Sequence, residues 1–325
     1  MNKASVFDIK NKSEFEVKTL EVFQFQYQNN SIYHEFCSYL GRNPKNVKQL
    51  REIPFLPIEF FKSKTILTGQ EKLQISFSSS GTTGSSTSQH HVSDLRIYER
   101  SYLTAFEKFY GDIRDYCVLA LLPSYLERKG SSLIYMVDDL IKKSQHSDSG
   151  FYLDEFDSLK NRLLQLDALG SKVLLIGVSF ALLDFIEKHP IQLKNTVVME
   201  TGGMKGRRKE MIRNELHQIL RQGFGVDKIH SEYGMTELLS QAYSKGNGIF
   251  KTPSWMKILI RDTEDPLTFH NKGKTGGINV IDLANINSCS FIATQDLGKL
   301  QEDNSFEILG RFDHSDVRGC NLMVL

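Results

Sequence analysis

The middle of the chain alternates short apolar runs with amphipathic segments, and this alternation constrains the fold more than any other feature. The strand-like runs are "LQISF", "CVLALL", "KVLLIGV" and "NTVVMETGG". Helical patterns follow three of them, in "SDLRIYERSYLTAFEKFYG" with Ser93 as the expected N-cap, in "SFALLDFIEKH" and in "KEMIRNELHQILRQGFG". Strands of a parallel sheet are apolar throughout because helices cover both faces. The pattern therefore predicts an α/β fold with largely parallel sheets and covering helices.

The two ends of the chain have a different character. The first 40 residues read as helical, and "EFEVKTLEVFQFQYQ" puts Phe15, Leu20, Phe23 and Tyr27 near one helix face. Near the other end, "WMKILIRD", "GINVIDL", "SFIATQD" and "SFEILG" are strand-like and separated by turn residues. We predict an α/β core with a helical N-terminal segment over residues 1–247, and a β-rich subdomain with a short C-terminal tail over residues 248–325.

Composition excludes several classes of protein. The chain has 325 residues, with 40 Lys and Arg against 39 Asp and Glu, so it lacks the cationic excess of nucleic-acid-binding proteins. No apolar run has the length of a membrane span, and charges interrupt the N-terminus where a signal peptide is apolar. The cysteines Cys37, Cys117, Cys289 and Cys320 lie far apart, without CxxC or zinc-ligand spacing. These features favour the reducing cytoplasm and free thiols.

A stretch rich in hydroxyl groups and glycines follows "LQISF". We call residues 79–85 the hydroxyl loop; its members are Ser79, Ser80, Gly81, Thr82, Thr83, Gly84 and Ser85. Successive backbone N–H groups in such a loop form an anion-binding nest, and the hydroxyls add further donors. These residues alone fit a phosphate-binding loop and a flexible linker equally well. The loop holds no lysine and is not a Walker loop.

A second motif, "HSEYGMTE" at residues 230–237, combines an aromatic ring, a glycine, a hydroxyl and a carboxylate. The Tyr233 ring suits stacking on a planar base, and the Thr236 hydroxyl suits contact with a phosphate. The Glu237 carboxylate offers the oxygen ligands that Mg²⁺ prefers. The run "DKIHSEYGMTELLSQAY" predicts a short strand, a tight turn and a helix. Taken alone, the motif therefore also fits a helix start, where Thr236 and Glu237 suit the positive end of the helix dipole.

Four motifs in this order resemble the adenylate-forming superfamily of acyl-CoA synthetases, adenylation domains and firefly luciferase. They are "SSGTTG" at 79–84, "YGMTE" at 233–237, "TQDLG" with Asp296, and "GRFD" with Gly310 and Arg311. The resemblance extends from about residue 75 to the end of the chain. It implies an adenylate-forming fold that uses ATP and Mg²⁺, in which the hydroxyl loop holds the ATP phosphates. It also implies that Thr236 contacts the α-phosphate and that Glu237 ligates Mg²⁺.

The same resemblance assigns further residues to ATP. They are Gly202, Gly203, Tyr233, Gly234, Met235, Asp296 and Arg311. In the family pattern the two glycines line the adenine side and the tyrosine packs against adenine. The aspartate takes the ribose hydroxyls, and the arginine reaches toward the ribose.

Two departures from the family pattern concern recognition of ATP. Where the family often has Pro-Lys after the phosphate loop, this chain has Ser86 to Gln89, so Lys205 or Arg207 is the candidate cation for the pyrophosphate. Where an Asn or Asp is common before the tyrosine, this chain has Ser231, which predicts a different contact to the adenine amino group.

A branch of the superfamily accounts for three further stretches. "IPFLPIEFFKS" at 53–63, "PSYLERKGSSLIYMV" at 123–137 and the ending "DVRGCNLMVL" are similar to LuxE-type acyl-protein synthetases. Ordinary members of the superfamily carry a lid domain after the GR motif, whereas Leu325 stands only fourteen residues after Arg311. We therefore expect a branch that works without the lid.

The LuxE resemblance implies a specific activity and partner. A fatty acid is activated as acyl-AMP, transferred to a cysteine that matches Cys320, and passed to an NADPH-dependent acyl reductase. A thiolate is a strong nucleophile toward an activated acyl group, and Arg318 nearby favours the thiolate. The other three cysteines are expected to be structural. For His90 and His91, which follow the hydroxyl loop, phosphate contact and solvated surface positions both remain open.

Two alternatives remain at this stage. The chain could be an aryl- or acyl-activating ligase of the phenylacetate-CoA ligase or phenazine-modifying kind. It could also be a non-catalytic protein that binds an adenylate without turnover, since the expected lysines are absent from the motifs. Cys320 itself also fits the role of a small apolar filler.

Overall fold

The structure, a computed structural model, describes residues 3–79, 87–122, 130–153, 155–202 and 211–312. The α-helices are α1 (Lys12–Asn29), α2 (Ser31–Tyr39), α3 (Phe60–Ser63), α4 (Leu95–Tyr110), α5 (Ser132–Ser144), α6 (Phe156–Ala168), α7 (Ser179–Lys188) and α8 (Arg213–Phe224). The strands are β1 (Leu56–Pro57), β2 (Ile75–Ser78), β3 (Gln89–Val92), β4 (Cys117–Leu121), β5 (Gly150–Tyr152), β6 (Val173–Val178), β7 (Thr196–Thr201), β8 (His230–Tyr233), β9 (Ala242–Ser244), β10 (Ile249–Lys251), β11 (Met256–Arg261), β12 (Thr275–Asp282), β13 (Phe291–Leu300) and β14 (Phe306–Arg311). Short 3₁₀ helices lie at Lys3–Asp8, Leu50–Glu52, Ile113–Asp115 and Leu283–Asn285.

A parallel sheet forms the centre of the molecule, as the sequence predicts. Its strands lie in the order β5, β4, β6, β7, β8, and neighbouring strands run parallel. Every residue of β4 and β6 is buried, as expected for strands covered on both faces. The mixed α/β fold is confirmed.

The C-terminal strands are antiparallel and continue the same sheet. Beyond β8 the order is β9, β10, β14, β13, β12, β11, and β1 pairs in parallel with β13 as the twelfth strand of the same sheet. The β-rich character of this part is confirmed. Hydrogen bonds join β9 and β10, the strands on the two sides of the predicted boundary between residues 247 and 248. The boundary itself stays a prediction.

The N-terminal helices pack on the C-terminal strands. The buried face of α1 carries Phe15, Phe23 and Gln26, and the predicted Leu20 and Tyr27 are partly buried and pack against the same core. The side-chain amide of Gln26 donates to the carbonyl oxygens of Asn285 and Ile286 at 3.1 and 2.9 Å. This buried bonding fixes α1 against the turn that follows β12.

Local capping differs from the prediction at α4. Its N-cap is Asp94 rather than Ser93, and the Asp94 carboxylate accepts a hydrogen bond from the Arg96 N–H at 3.1 Å. A carboxylate at this position also stabilises the positive end of the helix dipole. Among the helices described here, none combines the length and the apolar character of a membrane span.

Candidate active site

The carboxyl ends of the central parallel strands meet at one edge of the sheet. Helix α7 begins directly after β6, Gly202 follows β7, and the "YGMTE" motif begins at the last residue of β8. The hydroxyl of Ser179 donates to the Gly202 carbonyl at 2.9 Å, which joins two of these ends. Gly202 has φ of +69°, a conformation that glycine adopts without strain. Ligands of open α/β sheets bind at such an edge.

The hydroxyl loop begins at the end of a β-hairpin. Strands β2 and β3 pair antiparallel, and Ser79 and Ser88 close the pair with N–H···O bonds of 3.1 Å to the Ser88 carbonyl and 2.9 Å to the Ser79 hydroxyl. The predicted strand before the loop is confirmed. A second strand, β3, stands between the loop and α4, so the predicted strand, loop and helix order was incomplete. Ser80 to Ser85 lie outside the described residues, as do Gly203 and Cys320.

The "YGMTE" motif forms a turn rather than the start of a helix. After Tyr233 the chain turns through residues 234–241 and enters strand β9, so the helix predicted after the motif was wrong. The buried Asp282 carboxylate fixes the far side of the turn, because it accepts from the backbone N–H groups of Leu239 and Ser240 at 2.8 and 3.0 Å. A Cβ at Gly234 would meet the carboxylate oxygen of Glu232, so a larger residue there would have to displace that buried side chain.

His90 connects the hairpin to this turn, so the interpretation of His90 as a solvated surface residue was wrong. Its side chain is fully buried. The imidazole Nδ1 lies 2.7 Å from the Thr236 carbonyl oxygen, and Nε2 lies 2.9 Å from Oδ1 of Asn285. The Asn285 amide in turn donates to the Glu237 carbonyl at 2.7 Å. Burial lowers the pKa of His90 to about 4.

Glu237 is buried beside hydroxyl and cationic groups. Its carboxyl is 5% exposed, and burial raises its pKa. A hydrogen bond with the Ser88 side chain and the positive charges of Arg311 and Lys62 act in the opposite direction. Groups from three separate segments thus surround this desolvated carboxyl group.

Tyr233, Asp296 and Arg311 form a hydrogen-bonded group beside it. The Tyr233 hydroxyl donates to one Asp296 oxygen at 2.7 Å, and the Arg311 Nε donates to the other at 2.9 Å. The Tyr233 ring is buried against Phe250 and Phe306, with ring centroids 6.1 and 5.9 Å apart. The structure thus brings three of the predicted residues together. Their roles toward adenine and ribose stay predictions.

The carboxylate of Glu200, two residues before Gly202, is buried among basic and hydroxyl side chains. The Glu200 carboxylate faces Arg213 Nε at 3.3 Å and His217 Nε2 at 3.4 Å. Burial opposes ionisation of Glu200, but His217, Arg213 and Ser231 outweigh it and leave its pKa below the usual value. Ser231 is fully buried and its hydroxyl lies 3.4 Å from His217 Nε2. In this structure Ser231 faces the protein interior.

Glu232→Gln is expected to stabilise the protein more at pH 8 than at pH 5, by about 2–3 kcal/mol. Burial raises the pKa of Glu232 from 4.5 to about 7, while its Thr201 hydrogen bond favours the ionised form. The folded state therefore keeps a proton that the unfolded chain releases. The resulting stability is present below the unfolded pKa and is lost as pH rises through about 7.

Urea unfolding at the two pH values measures this difference. Glu215→Gln, which changes an exposed glutamate on α8, is the matched control. If both variants change the free energy of unfolding equally at both pH values, the raised pKa of Glu232 is contradicted.

The three described cysteines are buried free thiols. Burial raises the pKa of Cys37 to about 12 and that of Cys117 to about 11, and it raises the pKa of Cys289 further. Because the thiolate is the reactive form, these three side chains are poor nucleophiles at neutral pH.

The donor set fits a magnesium ion that arrives with the nucleotide. Within the described ranges, no three His, Cys, Asp or Glu side chains form a metal-binding group. Mg²⁺ in nucleotide sites is held by one or two carboxylates together with substrate phosphates. A single carboxylate such as Glu237, next to the Ser88 hydroxyl, matches that arrangement.

Four residues of the site were missed or misread from sequence: Lys62, Ser88, His90 and Asn285. The alternation of "QHHV" carried one usable signal, because a strand there places His90 and Val92 on the same buried face. The other contacts join segments distant in sequence, and spacing gave no signal for them.

Comparison with known proteins places the chain among ligases. The family model described as acyl-protein synthetase, LuxE, matches residues 6–325. The long-chain-fatty-acid–luciferin-component ligase of Vibrio harveyi is 23% identical, over 92% of this chain and 84% of that protein.

Solved structures show the same fold. ATP-bound MatB from Rhodopseudomonas palustris matches with a TM-score of 0.56 and 17% identity, over 75% of this chain and 49% of MatB. The chain thus spans about half the length of that protein. An open conformation of 2-hydroxyisobutyryl-CoA ligase with 2-HIB-AMP and CoA matches with a TM-score of 0.65 and 10% identity, over 93% of this chain and 70% of the ligase.

Proposed function

The chain belongs to the LuxE family of acyl-protein synthetases, and we propose that it activates a carboxylic acid with ATP and acylates its own Cys320. The observation that carries the proposal is the meeting of three segments at one sheet edge. The β2–β3 hairpin, the Thr236–Glu237 turn and the Asp296–Arg311 pair are joined there through His90, Ser88 and Tyr233. A fatty acid is the proposed substrate.

In the first half-reaction, a carboxylate oxygen of the acid attacks the α-phosphorus of ATP. A new P–O bond forms, the bond to the β-phosphate oxygen breaks, and pyrophosphate leaves with both electrons. Mg²⁺, when bound with ATP, neutralises charge on the phosphates. Glu237 would hold that ion, Thr236 and the hydroxyl loop would orient the phosphates, and Asp296 with Arg311 would orient the ribose.

In the second half-reaction, the Cys320 thiolate attacks the acyl carbonyl carbon. A C–S bond forms, the bond from the carbonyl carbon to the AMP oxygen breaks, and the thiol proton passes to solvent. The raised pKa of the buried Cys37 and Cys117 supports the choice of Cys320, because neither buried thiol is ionised at neutral pH. The acyl thioester is the proposed substrate of an NADPH-dependent acyl reductase in the reducing cytoplasm.

Incubation of the protein with ATP, Mg²⁺ and labelled tetradecanoate tests the proposal. We expect pyrophosphate, and label that remains on the denatured protein and is released by hydroxylamine. Acyl-AMP without protein label, followed by a thioester on added coenzyme A, would instead indicate an acid–CoA ligase. Absence of both products with aliphatic and aromatic acids would indicate a non-catalytic adenylate-binding protein.

A further inference from the structure

The proposed ribose site consists of two side chains on neighbouring strands. Asp296 on β13 stands opposite Arg311 on β14, and the Arg311 Nε donates to the Asp296 carboxylate at 2.9 Å. Arg311 is exposed and is the last residue of its strand. Two groups bind a ligand well only when their geometry is fixed in advance. Residues that hold β13 and β14 at this point therefore bear on nucleotide binding.

A buried arginine, Arg261, reaches this point from the edge of the sheet. It is the last residue of β11 and stands opposite Gly277 on β12, the strand that separates β11 from β13. A Cβ at Gly277 would meet the guanidinium carbon at 2.5 Å, so the guanidinium lies directly over the Gly277 backbone. It crosses β12 there and reaches β13, where its Nη2 donates to the Thr294 carbonyl at 2.5 Å.

On β13 this contact supports the backbone of Asp296. The Arg261 Nη1 donates to the Ile278 carbonyl and to Oδ1 of Asn279 at 2.8 and 2.7 Å, which fixes the guanidinium on β12. The Thr294 hydroxyl donates to the same Ile278 carbonyl at 2.9 Å and accepts from the Asp296 N–H at 3.2 Å. Arg261 and Asp296 are thus joined through a single residue, Thr294.

The same guanidinium contacts the residue that follows Arg311. Its carbon lies 5.4 Å from the centroid of the Phe312 ring, within the range of a cation–π interaction. The Phe312 N–H donates to the carbonyl of Gln295, the residue before Asp296, at 2.8 Å. The three oxygen acceptors of the Arg261 guanidinium carry no charge, and burying a cation is costly. Packing alone therefore does not account for an arginine at this position.

We propose that Arg261 is a positioning residue of the nucleotide site. Its guanidinium holds the backbone of Asp296 through Thr294. It also holds the end of β14 through Phe312, and so keeps Arg311 within reach of Asp296. The pair is then preorganised for the two ribose hydroxyls of ATP. The inference rests on the proposed function, and it adds a residue that acts without touching the nucleotide.

Comparison of ATP with 2′,3′-dideoxy-ATP, which lacks both ribose hydroxyls, tests the proposal. In kcat/KM for acyl-AMP formation the wild-type protein should prefer ATP by about ten- to hundredfold, the effect of lost hydrogen bonds to charged groups. Arg261→Met removes the guanidinium and keeps the buried place filled. We expect this variant to lower the preference by about tenfold, with kcat/KM for the dideoxy nucleotide near the wild-type value. Phe312→Leu, which removes only the ring contact, should lower the preference in the same direction.

Lys257→Met is the matched control, because Lys257 lies on the same strand and covers a different ring, that of Phe15 on α1, at 5.5 Å. It should keep the wild-type preference. Equal losses of kcat/KM for both nucleotides in Arg261→Met would overturn the positioning role and indicate a structural one. If Arg261→Met does not fold, Phe312→Leu decides, and an unchanged preference in that variant overturns the proposal.

Two further outcomes separate this inference from the proposed function. A wild-type protein that forms acyl-AMP equally well from both nucleotides would overturn the ribose assignment and with it the role of Arg261. If the wild-type protein forms no acyl-AMP, the proposed function fails. The Kd values of ATP and 2′,3′-dideoxy-ATP in the same variants then measure the same preference and decide the role of Arg261.

Discussion

Glu237→Gln is expected to reduce acyl-AMP formation by at least about a hundredfold, because the Mg²⁺ ion that would neutralise charge on the phosphates loses its proposed protein ligand. Glutamine has nearly the same size and shape as glutamate, so the packing around this buried position is retained. It also carries no charge, so the variant avoids the desolvation cost that raises the pKa of Glu237. The folded protein should therefore be retained, and thermal unfolding should confirm this. Acid-dependent pyrophosphate release measures the effect.

The same residue predicts a pH dependence. Cation binding requires the carboxylate, so the activity rises as pH increases through the folded pKa of Glu237. Because burial raises that pKa, the acid limb of the wild-type profile should lie above the ordinary glutamate value of about 4.3. Glu264→Gln, an exposed acid, is the control. A similar rate in both variants would contradict the role of Glu237.

Cys320→Ser is expected to abolish protein labelling while acyl-AMP still forms at the wild-type rate. A serine hydroxyl is almost fully protonated at neutral pH and is a far weaker nucleophile than a thiolate unless a base activates it. Hydroxylamine-sensitive label on the denatured protein measures transfer, and extracted acyl-AMP measures activation. The two half-reactions should separate in this one variant.

Cys117→Ser is the control for the loss of a thiol. The Cys117 sulfur already lies 3.9 Å from the Ser149 hydroxyl in a buried place, so a serine there has a polar neighbour. This variant should keep its protein label. Persistence of label in Cys320→Ser, or its loss in Cys117→Ser with Cys320 intact, would contradict the assignment of the acyl acceptor.

The fold could be predicted from sequence where a pattern is local and repeated. Runs such as "CVLALL" and "KVLLIGV" became the buried strands β4 and β6, because a strand covered on both faces is apolar at every position. The prediction did not reveal that β9 to β14 extend the same sheet, since strand partners far apart in sequence leave no local signal.

In the candidate site, too, contacts between segments far apart in sequence could not be predicted. The motif letters identified Tyr233, Asp296 and Arg311, and the structure joins their side chains. The sequence did not indicate the contacts that support these residues, because those contacts form only when distant segments pack together in the folded chain. His90 is an example, since its burial under Phe61 and its bond to the Thr236 carbonyl follow from docking of the hairpin.

The helix predicted after "YGMTE" failed for a related reason. Local propensity allowed a helix there, but Asp282 binds the backbone N–H groups of Leu239 and Ser240 and holds the chain in a turn. Tertiary hydrogen bonds to a buried carboxylate outweigh a weak local preference.

Oxygen-isotope transfer tests the central claim, that the acid is activated as acyl-AMP. The acid is supplied with oxygen-18 in its carboxylate, and the AMP is analysed by mass spectrometry after turnover in unlabelled water. Attack of the carboxylate on the α-phosphorus, followed by cleavage at the acyl carbon, predicts one oxygen-18 atom in each AMP. Unlabelled AMP, or label in inorganic phosphate formed together with ADP, would contradict activation through an acyl adenylate.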